Sequence, residues 1–149
     1  MKFTNRILSV STLAVAATAL QAFAASPVSA AANEPAYNPA TIVSVTGTVT
    51  SVRQVAAGSP LAGVHLTLKS NSGALDVYVG PAEFLKFLKA SFPVGDQIQV
   101  IGSKVKFENA DVILTRQVDD GYELVTLRES NGAAEWQNWG KEIDPAQVR

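Results

Sequence analysis

The chain has 149 residues, with 12 Lys and Arg against 13 Asp and Glu, a single histidine and no cysteine. That length fits one domain, and the missing cysteine excludes disulfides, thiolate metal sites, a cysteine nucleophile and a lipidated N-terminal cysteine. The near-neutral charge argues against a protein that lives on phosphate contacts, because Lys and Arg supply most of the affinity for a nucleic-acid backbone.

Met1, Lys2 and Arg6 precede an uncharged stretch, 7–24, dominated by Ala, Leu and Val. This is the pattern of a secretory signal peptide. Small residues stand at Ala22-Phe23-Ala24 and again at Val28-Ser29-Ala30. The second is the expected cleavage site, because Pro27 breaks a helix just before it and presents an extended segment to a peptidase. An uncleaved anchor is the competing reading, the stretch being of borderline length for a membrane span. The expected location is therefore exported, periplasmic or secreted, with no stable membrane span once a leader of residues 1–30 is removed. Lys2 and Arg6 leave with it, so the remaining roughly 120 residues are acidic by three charges. Residues 31–40, with Pro35 and Pro39, read as a flexible N-terminus.

The domain itself is expected over residues 41–130. From 41 to 55, Val43, Val45 and Val49 alternate with Ser and Thr, the period of a half-buried strand. The phase slips between Val49 and Val52 and Gly47 falls mid-strand, which predicts a bend or bulge. After a Gly58-Ser59-Pro60 loop, Val64, Leu66 and Leu68 mark a second strand, and Leu75, Val77 and Val79 a third beyond the turn at residues 70–73. Keeping the apolar faces together pairs Leu66 with Val77 and Leu68 with Leu75. It also puts His65 across from Tyr78 and Thr67 across from Asp76 on the outward face.

Gly80-Pro81-Ala82-Glu83 reads as a helix start. The helix is expected to run to about Ser91, burying Phe84, Phe87 and Leu88 and turning Lys86 and Lys89 to water. A fourth strand follows over 97–107 with a bulge near Gly102, then a fifth over 111–118. Asp119-Asp120-Gly121 is a strong turn, leading into a sixth strand over 122–128. Residues 131–149 form a tail or lid in which Trp136 and Trp139 are spaced for one helical face, suited to packing on a barrel mouth or on the helix. An exposed aromatic pair for a carbohydrate, peptide or partner is the competing reading.

A long bent strand, a hairpin, a short helix and further strands is the element order of the OB-fold, a small Greek-key barrel. The predicted class is therefore mainly all-β, an OB-like barrel of five to six strands with one short helix between strands three and four. Val45-Thr46-Gly47-Thr48-Val49, Gly63-Val64-His65-Leu66-Thr67-Leu68, the run from Val77 through Gly80-Pro81-Ala82-Glu83 to Leu85, Gly95-Asp96-Gln97-Ile98-Gln99-Val100 and Leu127-Arg128-Glu129 carry a family resemblance. These stretches resemble a group of exported, periplasmic bacterial OB-fold-like proteins without an established activity. The resemblance covers about 41–136; it implies fold and compartment and transfers no catalytic residue.

No Gly-x-Ser-x-Gly elbow, phosphate loop or His-Glu-x-x-His motif is present. No enzyme, and no cofactor, is expected. Any imidazole chemistry passes through His65, with Asp76 and Tyr78 expected beside it and Arg53 and Lys69 at the periphery. His65 and Asp76 are the weak metal candidates, short of the three or four ligands a firm site uses. The sequence thus supports a non-enzymatic binding or accessory module of the cell envelope, docking a small ligand or an envelope protein through the face of strands two and three. Binding of an oligonucleotide or other polyanion on that face, through Arg53, Lys69 and a stacking Tyr78, is the alternative, opposed by the acidic balance.

Overall fold

The computed structural model describes residues 34–139. The expected leader and its cleavage site, and residues 140–149 of the tail, lie outside them.

Six strands form one sheet: β1 (Ile42–Val55), β2 (Gly63–Ser70), β3 (Gly73–Gly80), β4 (Gln97–Phe107), β5 (Ala110–Asp119) and β6 (Leu124–Thr126). They lie in the order β3-β2-β1-β4-β5-β6 with antiparallel neighbours, and β3 pairs in parallel with β5 through Asp76–Val112, Val77–Ile113 and Tyr78–Leu114. That last pairing closes the first five strands into a barrel, with β6 as an added short strand. The helix α1 (Ala82–Phe87) lies between β3 and β4. The expected class, all-β with a short helix at that position, is the one observed.

Curling a five-stranded sheet into a barrel requires a strand that changes partners along its length. β1 does this. Its first half pairs with β4 and its second half with β2, and the register slips between Val49 and Ser51, inside the predicted interval. Gly47 sits where both partners are engaged; a Cβ there would lie 2.5 Å from the Lys69 carbonyl oxygen, so only glycine lets the strands approach. A second slip falls opposite Ile101 and Gly102, near the predicted Gly102, but the extra residue is Arg116, so the bulge lies in β5 rather than in the fourth strand. The β2–β3 register is the predicted one, with Leu66 opposite Val77, Leu68 opposite Leu75, His65 opposite Tyr78 and Thr67 opposite Asp76.

Inside the barrel Val49, Leu66, Leu68, Val77, Val79, Ile98, Val100, Ile113 and Val118 pack with Phe84, Leu85 and Phe92 from the helical side. The helix is shorter than predicted, and of the expected stripe Phe84 is buried and Leu88 partly so, while Leu85 takes the place expected of Phe87. Phe84 and Leu85 point inward, while Phe87 is 62% exposed. A Schellman closure ends it: the Ala90 amide donates to the Leu85 carbonyl (2.9 Å) and the Lys89 amide to that of Lys86 (3.0 Å), with Lys89 at φ 56. Glycine usually takes that place; a left-handed lysine carries no such mark, and the helix stops short of the Phe92-Pro93-Val94-Gly95-Asp96 segment expected to close it. The sixth strand is likewise confined to Leu124–Thr126 rather than 122–128, because Asp119 and Asp120 cap the preceding turn. The Asp119 carboxylate accepts from the Gly121 amide (2.8 Å), and that of Asp120 from the amides of Tyr122 (2.8 Å) and Glu123 (2.7 Å).

The described part of the N-terminal segment is tied to the barrel, where a flexible lead-in was expected. The Asn38 amide donates to the Ser103 hydroxyl (3.0 Å), Tyr37 packs on the outer face of the sheet, and Glu34 pairs with Arg128 at 3.0 Å. Among the described residues no helix is long and apolar enough to cross a membrane.

Candidate functional site

The outward face of β2 and β3 was expected to be open. It is largely covered. Closure of β3 on β5 sets Val112 beside Asp76 and Leu114 beside Tyr78 on that face, so apolar surface accumulates there and must be shielded from water. Leu61 from the β1–β2 loop, Tyr37 from the N-terminal segment and Trp136 from the tail supply the cover, giving a second small core around Tyr78, Val112 and Leu114. His65 and Tyr78 are each only 3% exposed as a result.

Three of the predicted residues converge. Arg53 on β1 lies opposite His65 on β2, and Asp76 on β3 is two residues along from Tyr78, which faces His65. The Arg53 guanidinium donates to Asp76 Oδ2 at 2.7 Å, and His65 Nδ1 is 3.1 Å from Asp76 Oδ1 and 3.4 Å from the same guanidinium. His65 Nε2 lies 2.8 Å from the Leu61 carbonyl. A carbonyl only accepts, so Nε2 carries a proton and donates. Nδ1 then either accepts from Arg53 in the neutral ring or, protonated as well, donates to Asp76. In both states each ring nitrogen is engaged, which leaves no free lone pair for a metal ion. Among the described residues no group of three His, Asp or Glu side chains is arranged to hold one.

Tyr78 joins this group through its ring, 5.1 Å from the His65 ring, while its hydroxyl donates to the Ala62 carbonyl at 3.0 Å. Burial, and secondarily the negative charge of Glu34, push its phenol up to about 12 against the opposing pull of Arg128. Its ring is enclosed and offers no face for a base to stack on. Lys69 does not join the group. It is exposed near the hairpin end, opposite Ala74 and Thr48, four residues along β2 from His65 and so about 13 Å away at strand spacing.

Above Arg53, His65 and Asp76 lies a concavity of about 290 Å³, walled by Leu61 and Ser59 of the β1–β2 loop and by Phe107 and Glu108 of the β4–β5 hairpin. Leu61, Phe107 and Glu108 were not anticipated in this role. A signal for Leu61 was present: one large apolar residue in a Gly-Ser-Pro loop has reason to fold inward. The position of the β4–β5 hairpin over β2 depends on barrel closure and has no local signature.

The described part of the tail, residues 131–139, brings both tryptophans against the barrel and the helix. Around the 3-10 turn at Glu135–Gln137, Trp136 lies edge-on to Tyr78 (6.1 Å) and 5.8 Å from Phe84, with the Arg128 guanidinium 4.8 Å from its ring centre. Trp139 lies 5.6 Å from Phe87. A larger hollow of about 710 Å³ opens elsewhere, beside Asp96, Asp119, Asp120 and Tyr122. Two of those three carboxylates are spent on turn amides, so its chemistry is that of a capped turn.

Two comparisons bear on this geometry. The model of the MamS/MamX magnetosome protein family matches residues 41–125, from the start of the barrel into β6. No curated protein matches the chain.

Proposed function

The chain belongs to the MamS/MamX magnetosome protein family, and from that premise we propose that it is a non-enzymatic accessory module of the magnetosome, acting on the exported side of the membrane and docking a protein partner through the concavity over Arg53, His65 and Asp76. We read the barrel as OB-like: its strand order is that of an OB barrel, whose ligands meet strands two and three between the β1–β2 and β4–β5 loops. The concavity lies in that place.

The observation that carries the reading is its size and lining. A volume of about 290 Å³ is at the small end for a ligand pocket, and suits one anchoring side chain better than a cofactor. Apolar walls with an Arg53–Asp76 pair and Glu108 at the edge match the anatomy of a protein hot spot, an apolar anchor within a polar rim. The polyanion alternative has less behind it. Arg53 is already neutralised by Asp76, Tyr78 is enclosed, and Lys69 stands apart.

A photo-crosslinking residue placed at Ser59, in a magnetosome-forming cell, tests this. A single crosslinked partner is expected from position 59 and not from position 99, on the β4 strand across the barrel, and it should disappear when Arg53→Glu and Phe107→Ala are introduced. Equal crosslinking from both positions, or none from either, contradicts the proposal.

A further inference from the structure

A second surface, on the flank of α1, has no part in the docking concavity. Between α1 and the β1–β2 sheet runs an open trough of about 610 Å³, lined by Val52, Val64, Leu66, Leu85 and Pro93. Only Lys86, Lys89 and Ser91 among its lining side chains are polar. Val52 is 46% exposed in it, and Pro93 is exposed at its rim beside the two lysines. Neither Lys86 nor Lys89 makes an ion pair among the described residues, in contrast to Lys104 and Lys106, which share Asp111. Glu83 of the same helix lies on its other flank, against Trp136 and Trp139.

We propose that this trough is a docking surface for an anionic phospholipid bilayer: Val52 and Pro93 at its rim meet the acyl boundary, and Lys86 and Lys89 meet the headgroup phosphates. Apolar side chains left in water beside unpaired cations are the two attractions of an interfacial contact, apolar burial and charge. The long lysine stems lie along apolar surface while their ammonium groups reach outward. A bound peptide would bring backbone amides and carbonyls that need partners, and one serine hydroxyl and two ammonium groups are too few to satisfy them. An acyl chain brings no such demand. Because the domain as a whole is acidic, this patch also orients the molecule, turning one flank toward a negative surface while the rest is repelled.

The test is co-sedimentation of the full-length chain with vesicles of phosphatidylcholine alone and of phosphatidylcholine mixed equally with phosphatidylglycerol. An apolar N-terminal segment contributes alike to every variant, so the readout is the difference between proteins. Wild-type protein should bind the mixed vesicles more tightly, and Lys86→Glu with Lys89→Glu should weaken that binding by about tenfold or more, by the usual contribution of basic residues near an anionic surface. Val52→Ser should weaken binding to both vesicle types. Lys104→Glu with Lys106→Glu, which changes net charge equally, should have a much smaller effect. Equal losses in the two lysine pairs, or no loss in either, would overturn the proposal. So would binding of wild-type protein to a soluble Glu- and Leu-rich amphipathic peptide but not to vesicles, which would assign the trough to a protein partner.

Discussion

His65 spends both ring nitrogens within the protein, on the Leu61 carbonyl and on the Arg53–Asp76 pair. Its first role is to hold the β1–β2 loop down over the sheet. His65→Ala should therefore cost about 1–3 kcal/mol, the usual penalty for leaving a buried acceptor without its donor, measurable by urea denaturation. Arg53 is half exposed, so Arg53→Ala should change stability by less than about 1 kcal/mol while altering the concavity. Tyr78 gives a pH signature. Its folded pKa of about 12 lies above the ordinary value of 10.0, so folding favours the neutral phenol. The associated stability is complete below pH 10 and is lost as pH rises from there through 12. In alkaline denaturation, Tyr78→Phe should lose less stability than wild type across that window. The pairing of His65 with Tyr78 and of Thr67 with Asp76 was legible in the sequence, because period two and a short turn fix a hairpin register. That His65 and Tyr78 are buried was not legible, since it follows from β5 arriving beside β3 from far along the chain.

At the scale of elements, the N-terminal segment and the tail clasp each other. The buried Arg128 side chain donates to the Gly132 carbonyl at 3.1 Å and to Glu34 at 3.0 Å, beneath Trp136. Glu34 is itself part exposed, so Glu34→Gln should cost about 1–2 kcal/mol, below the range for breaking a fully buried pair. Trp136 bridges both cores, and Trp136→Ala should cost about 2–4 kcal/mol. Gly80, at φ +125, faces the Trp136 ring so closely that a Cβ would lie 2.8 Å from it. Gly80→Ala is accordingly expected to displace the lid and to raise Trp fluorescence quenching by acrylamide, an effect absent from the equally exposed-loop change Gly58→Ala. The packing of Trp136 and Trp139 follows the spacing that suits one face. The latch beneath was not legible: Glu34 and Arg128 are 94 positions apart, and neither carries a local pattern. The same contrast explains the helix, whose start was marked by Pro81 and Glu83 but whose end was set by a left-handed lysine.

For the whole molecule, alternation in each strand and the bulge in β1 made the barrel class readable from the chain, since both are consequences of local periodicity. What periodicity leaves open is which loops meet over which strand, and that is where the candidate site was misjudged. An open decorated face became a covered one with a small hollow between Leu61 and Phe107. The two surfaces assigned here differ in chemistry and should separate by mutation: changes at Lys86 and Lys89 leave the Arg53 concavity intact, and changes at Arg53 and Phe107 leave the trough intact.

The most direct test of the docking account is complementation in a magnetosome-forming bacterium that lacks its own copy of this protein. Arg53→Glu combined with Phe107→Ala is expected to yield a folded, normally abundant protein that fails to restore magnetosome formation, while Gln99→Glu restores it. Full restoration by the concavity variant at wild-type abundance would contradict docking through the concavity.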